Sequence, residues 1–466
     1  MALKNLIHGN LVDSGILSPI INPATEESFT EVYLAGESLL EQAVSSSTRA
    51  FQNWRQTSIN ERRAALEKIA DLMAANKEKL AKNLTREQGK ILNEAYGEID
   101  LAENFCRYYA AMDMPVETLV DNDDVLIESH RKPLGVVAAI IPWNYPFFVM
   151  INKLAPALLA GNVVIIKPAP TTPVTTLVFA ELIVDILPPG VVNILADDTT
   201  LGPMITAHPA IAKISFTGST ATGKSVYRTC ASSLKRMTLE LGGNDAAILL
   251  DDAVPENITG MLFEAIFENC GQVCNAIKRL YVPESLYGEM TARLAEMASG
   301  MIIGDGMDPA TNIGPLQNKN QFDLTCALIE ESRKDGTLIA GGIIPDRKGY
   351  FIPPTLFKDI HDGCRLVDQE QFGPVLPIIS YRSLDDTLAQ INSSPYGLTG
   401  SVWSADPRRA RDVALSVESG TLWVNQHGMI GPHIPSSPMK QSGLGTEGGQ
   451  EGLYSFTAQQ IIHVRK

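Results

Sequence analysis

From Ser58 onward the chain spaces its apolar residues at helical intervals. Ser58-Ile-Asn-Glu61 has the form of a capping box, in which the serine oxygen and the glutamate carboxylate satisfy free amides at a helix start. The Ala, Leu, Ile and Met positions that follow predict one amphipathic helix to about Gln88, with Gly89 where it would stop. The first third as a whole reads as helical. Beyond it, short apolar runs alternate with helical stretches. Strands are expected over Val136–Ile141 and Val163–Lys167 and near Val191–Leu195 and Lys213–Phe216, with helices over Asn152–Leu159 and Thr175–Ile186. Alternation of this kind predicts a parallel sheet covered on both faces. A second series begins at Ala246–Leu250 and runs through a helix, Ile258–Phe267, to strands near Ala276–Val282 and Val375–Ile379. The acidic segment Val120–His130 and the tail Ala458–Val464 read as short strands with polar flanks.

Length and composition narrow the class. A chain of 466 residues is too long for one hydrophobic core, so two or more domains are expected. Its formal charge of −15 argues against nucleic acid as a partner, because phosphate would be repelled. The apolar runs are too short to span a bilayer, and the segment MALKNLIHGN lacks the pattern of a signal peptide. The six cysteines are scattered, which suits a reducing compartment. A cytoplasmic protein is expected, with no membrane partner.

Gly218-Ser-Thr-Ala-Thr-Gly223-Lys224-Ser225 matches the phosphate loop of nucleotide triphosphatases. A strand is expected before it, and Ala246–Leu250 followed by Asp251 resembles a strand ending in a magnesium-binding aspartate. The competing explanation is a glycine-rich turn into a helix, which holds a dinucleotide pyrophosphate equally well through free amides and the helix dipole.

The triphosphatase reading leaves three other segments unexplained. Phe267-Glu-Asn-Cys270-Gly-Gln-Val-Cys274 offers a thiol that can attack a carbonyl once its pKa is lowered or a base stands nearby. A single cysteine is ordinarily a small buried hydrophobe, and Cys270 with Cys274 gives only half the ligands of a zinc site, so no metal is expected. Leu239-Glu240-Leu241-Gly242-Gly243-Asn244 sets one carboxylate among apolar residues and glycines, a setting that raises its pKa and suits a base acting on water. Pro142-Trp143-Asn144-Tyr145-Pro146 follows an expected strand. There the Asn144 amide can donate to a developing oxyanion, although a rigid proline-bracketed turn explains the segment as well.

Taken in order, Pro-Trp-Asn-Tyr-Pro, Lys-Pro, Phe-Thr-Gly-Ser, Glu-Leu-Gly-Gly, Gly-Gln-x-Cys, Glu-x-Phe-Gly-Pro and a late Ser-Gly-x-Gly strongly resemble the aldehyde dehydrogenase superfamily over nearly the whole chain. Cys274 follows Glu240 by 34 residues, the spacing expected in that family. The resemblance implies that Cys274 attacks the aldehyde to give a thiohemiacetal, whose oxyanion is held by the Asn144 side chain and the Cys274 amide. Hydride then leaves to a nicotinamide, and Glu240 activates the water that hydrolyses the thioester. Acylating relatives usually lack this glutamate, so a free acid product is expected.

The same resemblance assigns a coenzyme site. Pro142 and Trp143 lie on its wall, Lys167 binds the adenosine ribose, and Gly218 and Ser219 meet the pyrophosphate. Leu241 lies beside it, Glu370 holds the nicotinamide ribose, and Phe372 stands by the ring. Glu447 matches a second carboxylate that assists deacylation, and Lys153 a lysine near the active site, although either can be a plain ion-pair partner.

Two positions depart from the pattern. Pro170 stands where NAD-preferring members usually carry an acid, so dual use of NAD and NADP is expected, with Lys167 free to attract a phosphate. Pro435-Ser436-Ser437-Pro438 replaces the usual Pro-Phe-Gly-Gly. Together with Tyr145, Asn152, His427 and His433 it suggests a polar mouth for a hydroxylated or semialdehyde substrate.

The expected architecture is α/β: a Rossmann-like dinucleotide-binding domain (residues 1–114 and 134–242), an α/β catalytic domain (243–441) and a small β oligomerisation element (115–133 and 454–466). An exposed edge strand in the tail favours a homodimer or homotetramer. A catalytically silent relative is the third hypothesis. Retention of Asn144, Glu240, Cys274 and Glu370 together argues against it.

Overall fold

The computed structural model describes residues 2–466. It contains two large sheets. The first has eight strands, in the order Asn10–Val12, Asn5–Ile7, Val192–Ile194, Val163–Lys167, Val136–Ile140, Ile211–Thr217, Arg236–Glu240 and Gly443–Leu444. The five from Val192–Ile194 to Arg236–Glu240 are parallel, and the flanking pairings are antiparallel. Val136–Ile140 and Val163–Lys167 are buried at every position, as strands covered on both faces must be.

The second sheet has seven strands, ordered Thr337–Ala340, Thr355–Lys358, Val375–Tyr381, Ile277–Pro283, Asp245–Leu249, Thr399–Trp403 and Thr421–Val424. All its pairings are parallel except the one between the first two. Each sheet has its own buried apolar cluster, and the chain passes from the first cluster to the second between Leu241 and Ala246. A third, antiparallel sheet joins Thr457–Arg465 to Val125–Pro133 and Glu117–Asp121. Leu119, Val120, Ile461, Ile462 and Val464 are exposed on it.

Two expectations need correction. The first third is not wholly helical, because strands occupy Asn5–Ile7, Asn10–Val12, Leu17–Asn22 and Glu27–Tyr33. Asn5–Ile7 and Asn10–Val12 are only three residues long, and Leu17–Asn22 and Glu27–Tyr33 bury one residue each, Ile20 and Val32, so they carry little apolar periodicity. The helix expected from Ser58 to Gln88 is two helices, Ile59–Ala75 and Lys77–Gln88, broken at Asn76. Asn76 (φ −114°, ψ 16°) turns its side-chain amide onto the Leu72 carbonyl at 2.9 Å, the local competition that makes asparagine a helix ender. Both predicted ends hold. The capping box at Ser58 and Glu61 is formed, and Gly89 closes the second helix in the left-handed region at φ 97°.

Candidate active site

The helix Pro255–Phe267 ends in a turn with three successive left-handed residues, Asn269 (φ 49°), Cys270 (φ 57°) and Gly271 (φ 71°). Such backbone costs energy at non-glycine positions and persists only where neighbours over-determine it. They do so here. The Asn269 amide donates to Glu94 Oε1 at 2.8 Å, and its side chain donates to the Asn144 carbonyl at 3.1 Å. Asn144 Nδ2 donates back to the Gln272 carbonyl at 2.9 Å, while Lys278 Nζ donates to the Gly271 carbonyl at 2.7 Å. A Cβ on Gly271 would come within 2.4 Å of the Gly373 carbonyl oxygen. The turn therefore fixes Cys274 and Asn144 relative to each other.

Cys274 and Asn144 open onto one cavity of about 310 Å³, whose wall also includes Pro142, Trp143, Gly218, Leu241 and Glu370. Ser219 and Phe372 complete the group of expected residues found there. Cys270 is fully buried in the second apolar cluster and off the wall. Burial, then the negative charges of Glu240, Asp245 and Glu370, push the Cys274 thiol up to about 12. The thiol needs a proton acceptor before it can attack.

Glu240 closes the strand Arg236–Glu240 just behind the wall residues Leu241 and Gly242. Its Oε1 is buried without a partner. Burial and the nearby Glu447 charge hold its carboxyl well above the usual range, against the pull of Lys153. Lys153 Nζ lies 2.5 Å from Glu447 Oε1, and both side chains are buried. Ser215 Oγ is 3.2 Å from each of those atoms, and Asn152 Nδ2 donates to Glu447 Oε2 at 2.9 Å. Lys153 and Glu447 are thus ion-pair partners, and of each other.

Against the same Gly242-Gly243 segment, Glu370 Oε1 accepts the Gly243 amide at 3.0 Å, and burial pushes its carboxyl up to about 7. Phe372 meets Trp143 edge-on at 5.3 Å. Lys278 Nζ stands 5.0 Å from the Phe372 ring, and burial lowers this lysine to about 8 against the pull of Glu370. Ser219 caps the helix Thr220–Ala231, its Oγ accepting the Thr222 amide at 3.2 Å.

The triphosphatase alternative is not supported by this geometry. Gly223 and Lys224 lie inside the helix, Lys224 Nζ donates to Gln441 Oε1 at 2.7 Å, and Gly223 is packed under Leu241. A Cβ at Gly223 would come within 2.4 Å of the Leu241 side chain, so this glycine serves packing rather than phosphate.

A model of the aldehyde dehydrogenase family matches residues 13–462. The chain belongs to the aldehyde dehydrogenase family. It is 37% identical over 463 residues to human aldehyde dehydrogenase 1A1, covering 97% of this chain and 92% of that protein. It is 36% identical to rat aldehyde dehydrogenase, cytosolic 1, over 99% of this chain and 94% of the relative. The NAD+ complex of an aldehyde dehydrogenase from Bacillus cereus superimposes with a TM-score of 0.97 at 34% identity, covering 100% of this chain and 97% of that one.

Lys167 and Pro170 do not line the cavity that holds Cys274. Lys167 is not free to attract a phosphate, because its Nζ is 2.6 Å from Asp197 Oδ1. The expected mouth residues are also off this wall and are partly committed. Tyr145 donates to Glu268 Oε1 at 2.5 Å, and Asn152 is held by Glu447. His427 lies 2.9 Å from Ser401 Oγ and 2.7 Å from the Asn275 carbonyl, and burial lowers it to about 4. Glu94, Lys278 and Asp197 were missed by sequence reasoning. Only Lys278 left a signal: with Arg279 it is one of two adjacent charges in the fully buried strand Ile277–Pro283.

Proposed function

We propose that this aldehyde dehydrogenase forms a free carboxylic acid, with Cys274 as nucleophile, Asn144 as oxyanion donor and Glu240 as the base for hydrolysis. The observation that carries the reading is the pairing of Cys274 with Asn144 on one cavity wall while the alternative thiol, Cys270, is buried. The Cys274 thiol gives its proton to water, its Sγ bonds to the aldehyde carbon, and the carbonyl oxygen becomes an oxyanion accepting from Asn144 Nδ2 and the Cys274 amide. Well-placed donors of this kind are worth about 3–4 kcal/mol of barrier. Once the thioester is formed, Glu240 takes a proton from water, the water oxygen bonds to the acyl carbon, and the C–S bond breaks. A protonated Glu240 cannot do this, so its raised pKa makes hydrolysis quicken as pH rises through it.

The donor set suits a nicotinamide dinucleotide. Thr217 Oγ1 and Thr220 Oγ1 are buried without partners beside the helix start at Ser219, where free amides favour phosphate. A Cβ on Gly242 would collide with the Glu370 carboxylate, so only glycine leaves Glu370 on that wall. Pro142, Trp143, Gly218, Ser219, Leu241, Glu370 and Phe372 would hold the coenzyme. When bound it supplies the acceptor for the two electrons that turn thiohemiacetal into thioester. NAD is the proposed coenzyme, supported by the NAD+ complex of the Bacillus cereus relative. On the question of dual use two features oppose each other: Pro170 sets no acid against a 2′-phosphate, while Asp197 takes up the Lys167 charge.

The division proposed from sequence, with the coenzyme on residues 1–114 and 134–242 and the nucleophile on 243–441, is supported by the passage between apolar clusters at 241–246. The exposed apolar residues Ile461, Ile462 and Val464 on the strand Thr457–Arg465 support a homodimer or homotetramer. A cytoplasmic setting and a hydroxylated or semialdehyde substrate complete the proposal. The experiment is a panel of aldehydes assayed with NAD and NADP for reduced nicotinamide and free acid. Coenzyme reduction without acid release would contradict the hydrolytic role of Glu240.

A further inference from the structure

The carboxyl ends of the strands Val163–Lys167 and Val192–Ile194 bring together a charge pair outside the reacting cavity. Lys167 Nζ lies 2.6 Å from Asp197 Oδ1, and the two side chains are 7% and 0% exposed. Asp197 Oδ2 accepts the Leu201 amide at 2.9 Å, which fixes the carboxylate in place. Asp198 follows, exposed, with hydrogen bonds from Thr200 and then the Lys167 charge holding its carboxyl below the usual range. Thr199 has φ 96°, a conformation that a β-branched residue adopts only under constraint. The segment is therefore held against local preference, with Asp197 paired to Lys167 and the exposed Asp198 next in the chain.

The neighbouring strands Val136–Ile140 and Ile211–Thr217 lead into Trp143 and into Gly218 and Ser219 on the cavity wall. Ligands of such sheets lie across the carboxyl ends of the strands. The reacting end of a dinucleotide belongs at Cys274, so its other half runs past Ser219 toward the ends of the next strands, where Lys167 and Asp197 stand.

We propose that Asp197 is a positioning residue for coenzyme choice: it neutralises Lys167, leaves that end of the site net negative together with Asp198, and so selects NAD over NADP although Pro170 offers no acid. The proposal rests on the dehydrogenase reading. A free Lys167 would attract the 2′-phosphate of NADP, whereas a paired one beside a second carboxylate repels it.

The test is binding of NAD+ and NADP+ to the full chain by calorimetry, with KM and kcat for both. The proteins are the native chain, Asp197→Asn, Lys167→Gln and the double variant. Native protein should bind NAD+ more tightly. Asp197→Asn keeps an acceptor for the Leu201 amide and should tighten NADP+ by about tenfold or more, through KM rather than kcat. The gain should shrink with added salt and vanish in the double variant, since it depends on the Lys167 charge. Asp198→Asn, which leaves the buried pair intact, should move NADP+ the same way by a smaller factor. Native protein binding NADP+ as tightly as NAD+, or a gain that survives in the double variant, would overturn the proposal. So would both Asp→Asn variants leaving the ratio unchanged. Native protein that binds neither dinucleotide would remove the dehydrogenase reading as well, a result distinct from an unchanged ratio.

Discussion

Two of the buried lysine–carboxylate pairs flank the eight-stranded sheet and differ in their third neighbour. Lys153 and Glu447 sit against Glu240, whose Oε1 has no partner and whose proton affinity the pair pulls in both directions. Lys167 and Asp197 stand beyond the cavity wall, with the exposed Asp198 beside them. A buried pair adds little net stability, because desolvation offsets the Coulomb gain. Its effect lies in the field it presents to whatever remains unpaired. Next to Glu240 that field acts on the proposed base. At Lys167 it cancels a charge.

The comparison is broken most severely at the reacting end. Cys274→Ala should lower turnover by several orders of magnitude, as loss of a nucleophile does, with the melting temperature nearly unchanged. Cys270→Ala, at a fully buried thiol, should keep most activity. If their effects were reversed, the nucleophile would be misassigned. Asn144→Ala comes next, with an expected loss of ~10²–10³ in kcat measured at saturating aldehyde. A loss confined to KM would show that Asn144 binds the aldehyde rather than the oxyanion.

Glu447→Gln sharpens the comparison. It removes the negative charge that raises Glu240 and leaves the Lys153 charge that lowers it. The Glu240 pKa should fall, so the rise of the hydrolysis rate with pH moves to lower pH. Breaking a buried pair should also cost about 3–5 kcal/mol of stability. A purely structural Glu447 would lower stability and leave the pH profile in place. Smallest is Pro170→Glu, which should shift preference toward NAD by only a few-fold, since Asp197 and Asp198 already oppose a phosphate there. The ratio of kcat/KM for the two coenzymes measures it.

Much of the candidate site was legible in the sequence. Cys274, Glu240 and Asn144 each sit in a short run set apart locally by its glycines, prolines and apolar neighbours, and strands such as Val163–Lys167 announce themselves by unbroken apolar runs. The charge pairs were not legible. Lys153 and Glu447 are 294 positions apart, and Lys167 meets Asp197 only because Val163–Lys167 and Val192–Ile194 are neighbours in the sheet. Sequence spacing says which residues share an element, whereas an ion pair depends on which elements share a boundary. The break at Asn76 was missed for another reason. Apolar periodicity continues across it, while the side-chain bond that ends the helix is a single local contact.

The most direct test of the account is a single-turnover measurement on Glu240→Gln. This variant keeps the shape of the side chain but cannot take a proton from water. It should release one equivalent of reduced nicotinamide per active site and then stall, with mass spectrometry showing an acyl group on the peptide that contains Cys274. Full steady-state turnover by Glu240→Gln, or a stalled acyl group on any other residue, would contradict the assignment of Cys274 and Glu240 on which the account rests.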